Sequence, residues 1–240
     1  MRTVQIAGLT VRLVGGVDRE GGGTGPLVVL LHGYGAPGDD LVGLYRVLRV
    51  PREVRFAFPE APLCLPELAS YGGRAWWPID MAALQRAATT GRPRDRSLES
   101  PAGLPAAHAQ IVQVLDGLEA ELSVPTGALL LGGFSQGAML ACDVALRTPR
   151  ALAGLILLST TLLSRPEWQP LMAARAGLPV LQTHGRSDSL LPHDRAIELR
   201  DLLLEAGLKV KWHDFPGAHE VPSSVLSALN EFCNEHLPAS

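Results

Sequence analysis

Short runs of consecutive apolar or β-favouring residues recur along this chain, each followed by a stretch with helical spacing, and few folds accommodate that alternation. Leu27–Leu31 reads LVVLL and Val54–Phe58 reads VRFAF, with similar runs at Ala128–Leu131, Gly154–Leu158, Val180–Thr183 and Val210–His213. A strand apolar on both sides is buried on both faces, the condition of parallel strands packed under helices. Helical spacing fills Asp40–Leu48, Ala106–Leu122, Gln136–Leu146, His193–Ala206 and Ser223–His236. In the second of these, Ile111, Val114, Leu115, Leu118 and Leu122 share one face. The alternation predicts an α/β fold built on a mostly parallel, doubly wound sheet. Val4–Thr10 and Val11–Val14 alternate about Ala7-Gly8, which adds an N-terminal antiparallel hairpin at one edge. Gly15–Gly25 reads as a flexible turn.

A chain of 240 residues suits one domain, 1–240, with a sizeable core. One segment fits no regular element: 59–105 holds many prolines, the pair Trp76-Trp77 and the polar stretch TTGRPRDRSLES. A connection this long inside a domain is usually functional, and its expected place is over the active-site ends of the strands. The net charge of −3 offers no basic surface, so no nucleic-acid partner is expected. No apolar run is long enough for a membrane span, and MRTVQIAGLT lacks the pattern of a secretory signal. The three cysteines are scattered, without metal-ligand spacing or a disulfide pattern. A cytoplasmic protein with no metal and no cofactor is expected, and a homodimer is compatible with the chain.

LLLGGFSQGAML, residues 129–140, runs an apolar strand into a serine fenced by glycines and then into a helix. Gly133-Phe134-Ser135-Gln136-Gly137 is thus a G-x-S-x-G motif in the strand–turn–helix context that gives the motif meaning. The glycines clear space around an exposed hydroxyl, and the helix start supplies N–H groups for an oxyanion. A serine becomes a nucleophile only with a base to take its proton and a carboxylate to orient that base. On this fold both follow the serine, acid first. Asp188 lies after the strand PVLQTHG, and His219 lies in PGAHEVP after VKWHDF. Asp194 reads as a helix-start residue, while Asp214 and His213 lie within a strand. His184 reads as a hydrogen-bonding residue at a strand end, and His108, His193 and His236 as helix-surface residues. The loop HGYGAPGDD after Leu31 is the second source of oxyanion donors. The backbone N–H groups of Tyr34 and Gln136 are assigned that role, so truncating the Gln136 side chain is expected to leave most of the activity. His32 buttresses the loop. Trp76, Trp77 and Ile79, completed by Leu163 and Leu190 with their neighbours Leu162 and Leu191, are the candidate substrate-binding wall.

Taken in order, LLHGYGAPGDDL, GGRAWWPID, GGFSQGAML, THGRSDSLLP and FPGAHEVP make the chain resemble the phospholipase/carboxylesterase family of α/β hydrolases, which includes the acyl-protein thioesterases. The resemblance covers nearly the whole chain. It implies an α/β-hydrolase fold with no large cap domain, a Ser135–His219–Asp188 triad and oxyanion donors at Tyr34 and Gln136. It also implies hydrolysis of short- to medium-chain carboxylic esters, small molecules, through an acyl-enzyme. The segment from about Ile79 to Leu104 is longer and richer in proline and arginine than in the thioesterases, which favours a small-ester carboxylesterase. Lysophospholipase or acyl-protein thioesterase activity is the alternative on the same fold, as are a peptidase or a lipase. A non-catalytic hydrolase-fold binding protein would be expected to have lost a triad member.

Overall fold

The computed structural model describes residues 1–80, 82, 86, 89 and 96–237. In chain order its strands are β1 (Arg2–Ile6), β2 (Leu9–Gly16), β3 (Glu20–Gly22), β4 (Leu27–Leu31), β5 (Arg55–Pro59), β6 (Leu63–Cys64), β7 (Arg74–Ala75), β8 (Leu129–Phe134), β9 (Gly154–Leu158), β10 (Pro179–Gly185) and β11 (Lys209–Phe215). The helices used below are α1 (Leu104–Leu122), α2 (Gln136–Arg147), α3 (Arg165–Met172), α4 (His193–Glu205) and α5 (Ser223–His236). A nine-stranded sheet runs β1-β2-β5-β4-β8-β9-β10-β11, with β3 beside β2, and a two-stranded ribbon pairs β6 with β7. From β5 to β11 every neighbouring pair is parallel; β2 is antiparallel to both β1 and β5. This is the doubly wound α/β sheet with an N-terminal hairpin, and among the described residues no helical cap stands over it. No described helix is long and apolar enough to cross a membrane.

Strand geometry explains why the apolar runs are continuous. Successive side chains point to opposite faces, and here both faces are covered. Leu27, Val29 and Leu31 of β4 join Leu129 and Leu131 of β8 in a core closed by Ile111, Leu115, Met139, Trp168 and Leu199. Val28, Leu30 and Leu130 face the other way, against Phe56, Val225, Leu229 and Phe232. Helix α2 is buried from Gln136 to Leu146, which fixes the carboxyl end of β8.

Three regions differ from the sequence expectation. Gly15–Gly25 is not a free turn: Gly15 and Gly16 extend β2, and β3 lies within it. Its path is set by Arg55, fully buried, whose guanidinium donates to the carbonyls of Gly25, Gly23 and Leu122. Arg165–Met172 forms α3, which Pro166 and Pro170 disguise as a loop. His108 is not a free surface residue: its Nδ1 pairs at 2.8 Å with Asp143, a carboxylate 1% exposed that also accepts from Arg147 Nε and Trp168 Nε1, both at 2.7 Å. Part of the 59–105 connection, namely 81, 83–85, 87, 88 and 90–95, lies outside the described residues, and with it most of TTGRPRDR.

The strand order reverses around β4, which has β5 on one side and β8 on the other. Loops leaving the carboxyl ends of strands flanking such a reversal diverge and open a crevice. The His32–Asp40 loop follows β4 and Ser135 follows β8, while the loops with Asp188 and His219 follow β10 and β11.

Candidate active site

Ser135 sits between β8 and α2 with φ of 54° and ψ of −117°. A non-glycine residue at such a positive φ costs on the order of 1–3 kcal/mol and persists only where its surroundings enforce it. They do so here. Ser135 N–H donates to Leu158 O on β9 at 2.9 Å, and Ser135 O accepts from Met139 N–H at 3.1 Å inside α2. The turn is tight enough that a Cβ on Gly137 would overlap the Leu31 carbonyl, and one on Gly133 would press on Leu31 and Gly137. The glycines of the motif are thus a steric requirement for bringing β4, β8 and α2 together.

β10 and β11 end in register, Gly185 opposite Phe215, so their loops leave the sheet side by side. Arg186 N–H donates to Phe215 O and Ser187 N–H to Gly217 O, both at 2.9 Å, locking one loop to the other. Across them, His219 Nδ1–H donates to Asp188 Oδ2 at 2.6 Å. Asp188 Oδ1 accepts from the N–H groups of Leu190 and Leu191, each at 2.9 Å. Burial pushes the Asp188 carboxyl up, but the His219 hydrogen bond and charge and the Leu191 N–H outweigh it and hold the group below the usual carboxylate value. With its Nδ1 committed as donor, the neutral imidazole carries its lone pair on Nε2, the state a general base needs. Phe134 supports the ring, with centroids 4.8 Å apart.

The competing residues are engaged elsewhere. Asp214 binds Arg186 at 2.7 Å, and Asp194 pairs with Arg195. His184, fully buried, donates from Nε2 to Leu191 O at 2.8 Å and lies 3.5 Å from Asp188 Oδ2; burial lowers its pKa. His193, expected at a surface, packs its ring tilted against both His184 and Trp212, with centroids 6.0 and 5.8 Å away. His32 fastens its loop: Nδ1 donates to Gly33 O at 2.9 Å and Nε2 accepts from Ala61 N–H at 3.0 Å.

A cavity of about 120 Å³ is lined by Ser135, His219, Tyr34 and Gln136 together. Among the described residues, neither the Tyr34 nor the Gln136 N–H donates to a protein acceptor. The loop that presents Tyr34 is clamped to β7, Gly35 N–H donating to Arg74 O at 2.8 Å and Arg74 N–H to Ala36 O at 3.1 Å. Ile79 and Leu190 line the cavity, with Leu191 and Met139.

Trp76, Trp77 and Leu163 do not line it. They belong to the core, 2%, 1% and 0% exposed, and Leu162 is buried with them. The tryptophan rings seal the apolar layer under the connection, and Trp76 Nε1 donates to His32 O at 2.9 Å. Apolar residues near a site are indistinguishable in sequence from core residues beneath it. Arg96 and Asp40 do line the cavity and were not anticipated; one lay in a polar connection, the other read as part of a helix.

The Gln136 side chain has a structural role that the sequence did not reveal. It is fully buried, its Oε1 accepting from Trp76 N–H at 2.9 Å and its Nε2 donating to Trp77 O at 2.8 Å. Truncation strands two buried backbone groups, at about 1–3 kcal/mol each. Gln136→Ala is therefore expected to lower Tm by several degrees, at roughly 2–4 °C per kcal/mol for a chain of this size. The backbone N–H survives this truncation, so the folded fraction is expected to keep most of its activity. An unchanged Tm by circular dichroism would contradict the account of this side chain.

Against known proteins, the chain matches the family described as Phospholipase/Carboxylesterase over residues 17–237. It is 29% identical to acyl-protein thioesterase 1 of Neurospora crassa, covering 88% of this chain and 86% of that protein. Acyl-protein thioesterase 1 of Schizosaccharomyces pombe is 26% identical, with 85% and 88% covered. Among solved structures, esterase PE8 superimposes with a TM-score of 0.79 at 29% identity, over 98% of this chain and all (100%) of that one. The Bacillus cereus carboxylesterase shares the fold at a TM-score of 0.70 and 19% identity, over 95% and 94% of the two chains.

Proposed function

The chain belongs to the phospholipase/carboxylesterase family of α/β hydrolases and is a carboxylic ester hydrolase, and from that premise we propose that Ser135, His219 and Asp188 form its catalytic triad, acting on short- to medium-chain esters. The observation that carries the assignment is the 2.6 Å bond from His219 to buried Asp188, with His219 and Ser135 lining one cavity. Ser135 Oγ attacks the ester carbonyl as His219 Nε2 takes its proton. Asp188 remains ionised and holds the imidazolium. The Tyr34 and Gln136 N–H groups receive the oxyanion, reinforced by the positive end of α2. His219 then returns the proton to the leaving alcohol, and water resolves the acyl-enzyme by the reverse of these steps.

The proposal extends to the whole chain, 1–240, as one catalytic domain with the 59–105 connection over the active-site side, a reading supported by Ile79 and Arg96 in the cavity wall. Every proposed catalytic group comes from one chain, so the reaction needs no second copy. We assign the enzyme to the cytoplasm, in keeping with three free thiols, Cys64, Cys142 and Cys233.

Cavity size speaks to the acyl group. Pockets that bury drug-sized ligands span roughly 300–1,000 Å³, and about 120 Å³ is enclosed here. A volume of that size favours short acyl chains over a palmitoyl group. Across p-nitrophenyl acetate, butyrate, hexanoate, octanoate and palmitate, kcat/KM is expected to peak at a short chain. Beyond the peak it drops, since one methylene is worth about 1–3 kcal/mol in such a pocket. Faster turnover of palmitoyl thioesters than of butyrate esters would instead make protein deacylation the reaction.

A further inference from the structure

Arg96 is a residue of the cavity wall whose presence the acyl chemistry does not explain. It is 6% exposed, yet it lines the same cavity as Ser135 and His219. Among the described residues its guanidinium has a single partner, Glu99, reached through Nε at 2.9 Å. That leaves the terminal amino groups of a buried fork, which suit the two oxygens of one carboxylate.

The segment carrying Arg96 is held by the scaffold. Arg165 N–H donates to Ser97 O at 2.6 Å, Ser164 N–H to Glu99 O at 3.0 Å, and Ser100 Oγ to Glu167 Oε1 at 2.6 Å. These bonds run to α3 and its preceding turn, so the guanidinium is positioned before any ligand arrives. Preorganisation of that kind is what converts a charged side chain into a selective one. Asp40 is the other charged side chain that the described residues place in the wall, and burial together with Asp39 beside it pushes its carboxyl up.

We propose that Arg96 is a specificity-determining residue that anchors a carboxylate on the acyl group, making half-esters of short dicarboxylic acids preferred substrates. The inference rests on the reading of Ser135 as nucleophile. The alcohol departs before water enters, so only the acyl half occupies the cavity through both steps. An anchor that serves both steps must therefore grip the acyl half. The same cavity is apolar at Ile79, Leu190 and Met139, which suits the methylene spacer of such an acid.

The test compares monomethyl glutarate with methyl pentanoate, nearly equal in length, by proton release in a pH-stat. Wild type is expected to favour the half-ester by at least about tenfold in kcat/KM, well under the roughly 10⁴–10⁵ that a site built to hydrogen-bond its substrate can reach. In Arg96→Met that ratio collapses toward unity, and Arg96→Lys, which keeps a charge without the fork, falls between. Glutarate should also slow fluorophosphonate labelling of wild-type Ser135 more than pentanoate does, a measurement that needs no variant to fold. A ratio unchanged in Arg96→Met, or equal protection by the two acids, would overturn the inference while leaving the triad intact. Absence of labelling at wild-type Ser135 would instead remove the catalytic reading, and this inference with it.

Discussion

Ser135→Ala is expected to lose on the order of 10⁶ in kcat on any ester the wild type hydrolyses, the loss seen when the nucleophile of a serine triad is removed. The protein should remain folded. What fixes the turn is backbone: the bond from residue 135 to Leu158, the bond from Met139 back to it, and the close packing of Gly137 on β4. None of these involves the hydroxyl. Alanine inherits the positive φ without new strain, because serine already bears it. The variant should therefore match wild type in Tm while its hydrolysis falls to background. Residual activity within about a hundredfold of wild type would assign the reaction to another group, since acid–base assistance alone supplies about 10²–10⁴.

The second large effect is Asp188→Asn, for which a drop of about 10⁴ in kcat is expected from the protease precedent. An amide can donate to His219 Nδ1, which stabilises the wrong tautomer and withdraws the lone pair from Nε2. It also removes the charge that stabilises the imidazolium. In the wild type Asp188 is fully buried and its carboxyl is held below the ordinary range, so it stays ionised through mildly acidic pH. Asp214→Asn and Asp194→Asn make a matched control. Their carboxylates pair with Arg186 and Arg195 on the outside of the protein, where ion pairs are worth about 0–1 kcal/mol. Both variants should hydrolyse esters within a few-fold of wild type. A crippled Asp214→Asn beside an active Asp188→Asn would place the orienting acid elsewhere.

How legible all this was depends on the range of the interaction. The sheet could be read from LVVLL and LLL because burial on both faces removes alternation from a parallel strand, and the positions within each run do divide between the two cores. Ser135 could be read because its backbone strain is local, and the glycines that permit it are its neighbours. Asp188 and His219, the proposed acid and base, were candidates on chain order and loop position, and the fold brings the two side chains together. What sequence hid is long-range. The partners of Gln136 are the backbone groups of Trp76 and Trp77, which no local pattern reveals. Arg55 looked like an interruption in an apolar strand, but it organises the glycine-rich loop through three carbonyls. Trp76, Trp77 and Leu163 were placed in the cavity wall because apolarity marks burial without saying which side of a wall is buried. Arg96 was hidden for the opposite reason: charge in a proline-rich connection reads as solvation.

The central claim is that Ser135 is the nucleophile of this cavity, and covalent capture measures it directly. Wild-type protein treated with a fluorophosphonate should gain the mass of one phosphonyl group, and peptide mapping should place it within GGFSQGAML; Ser135→Ala should gain none. Equal labelling of the two proteins, or a label on any other peptide, would contradict the account.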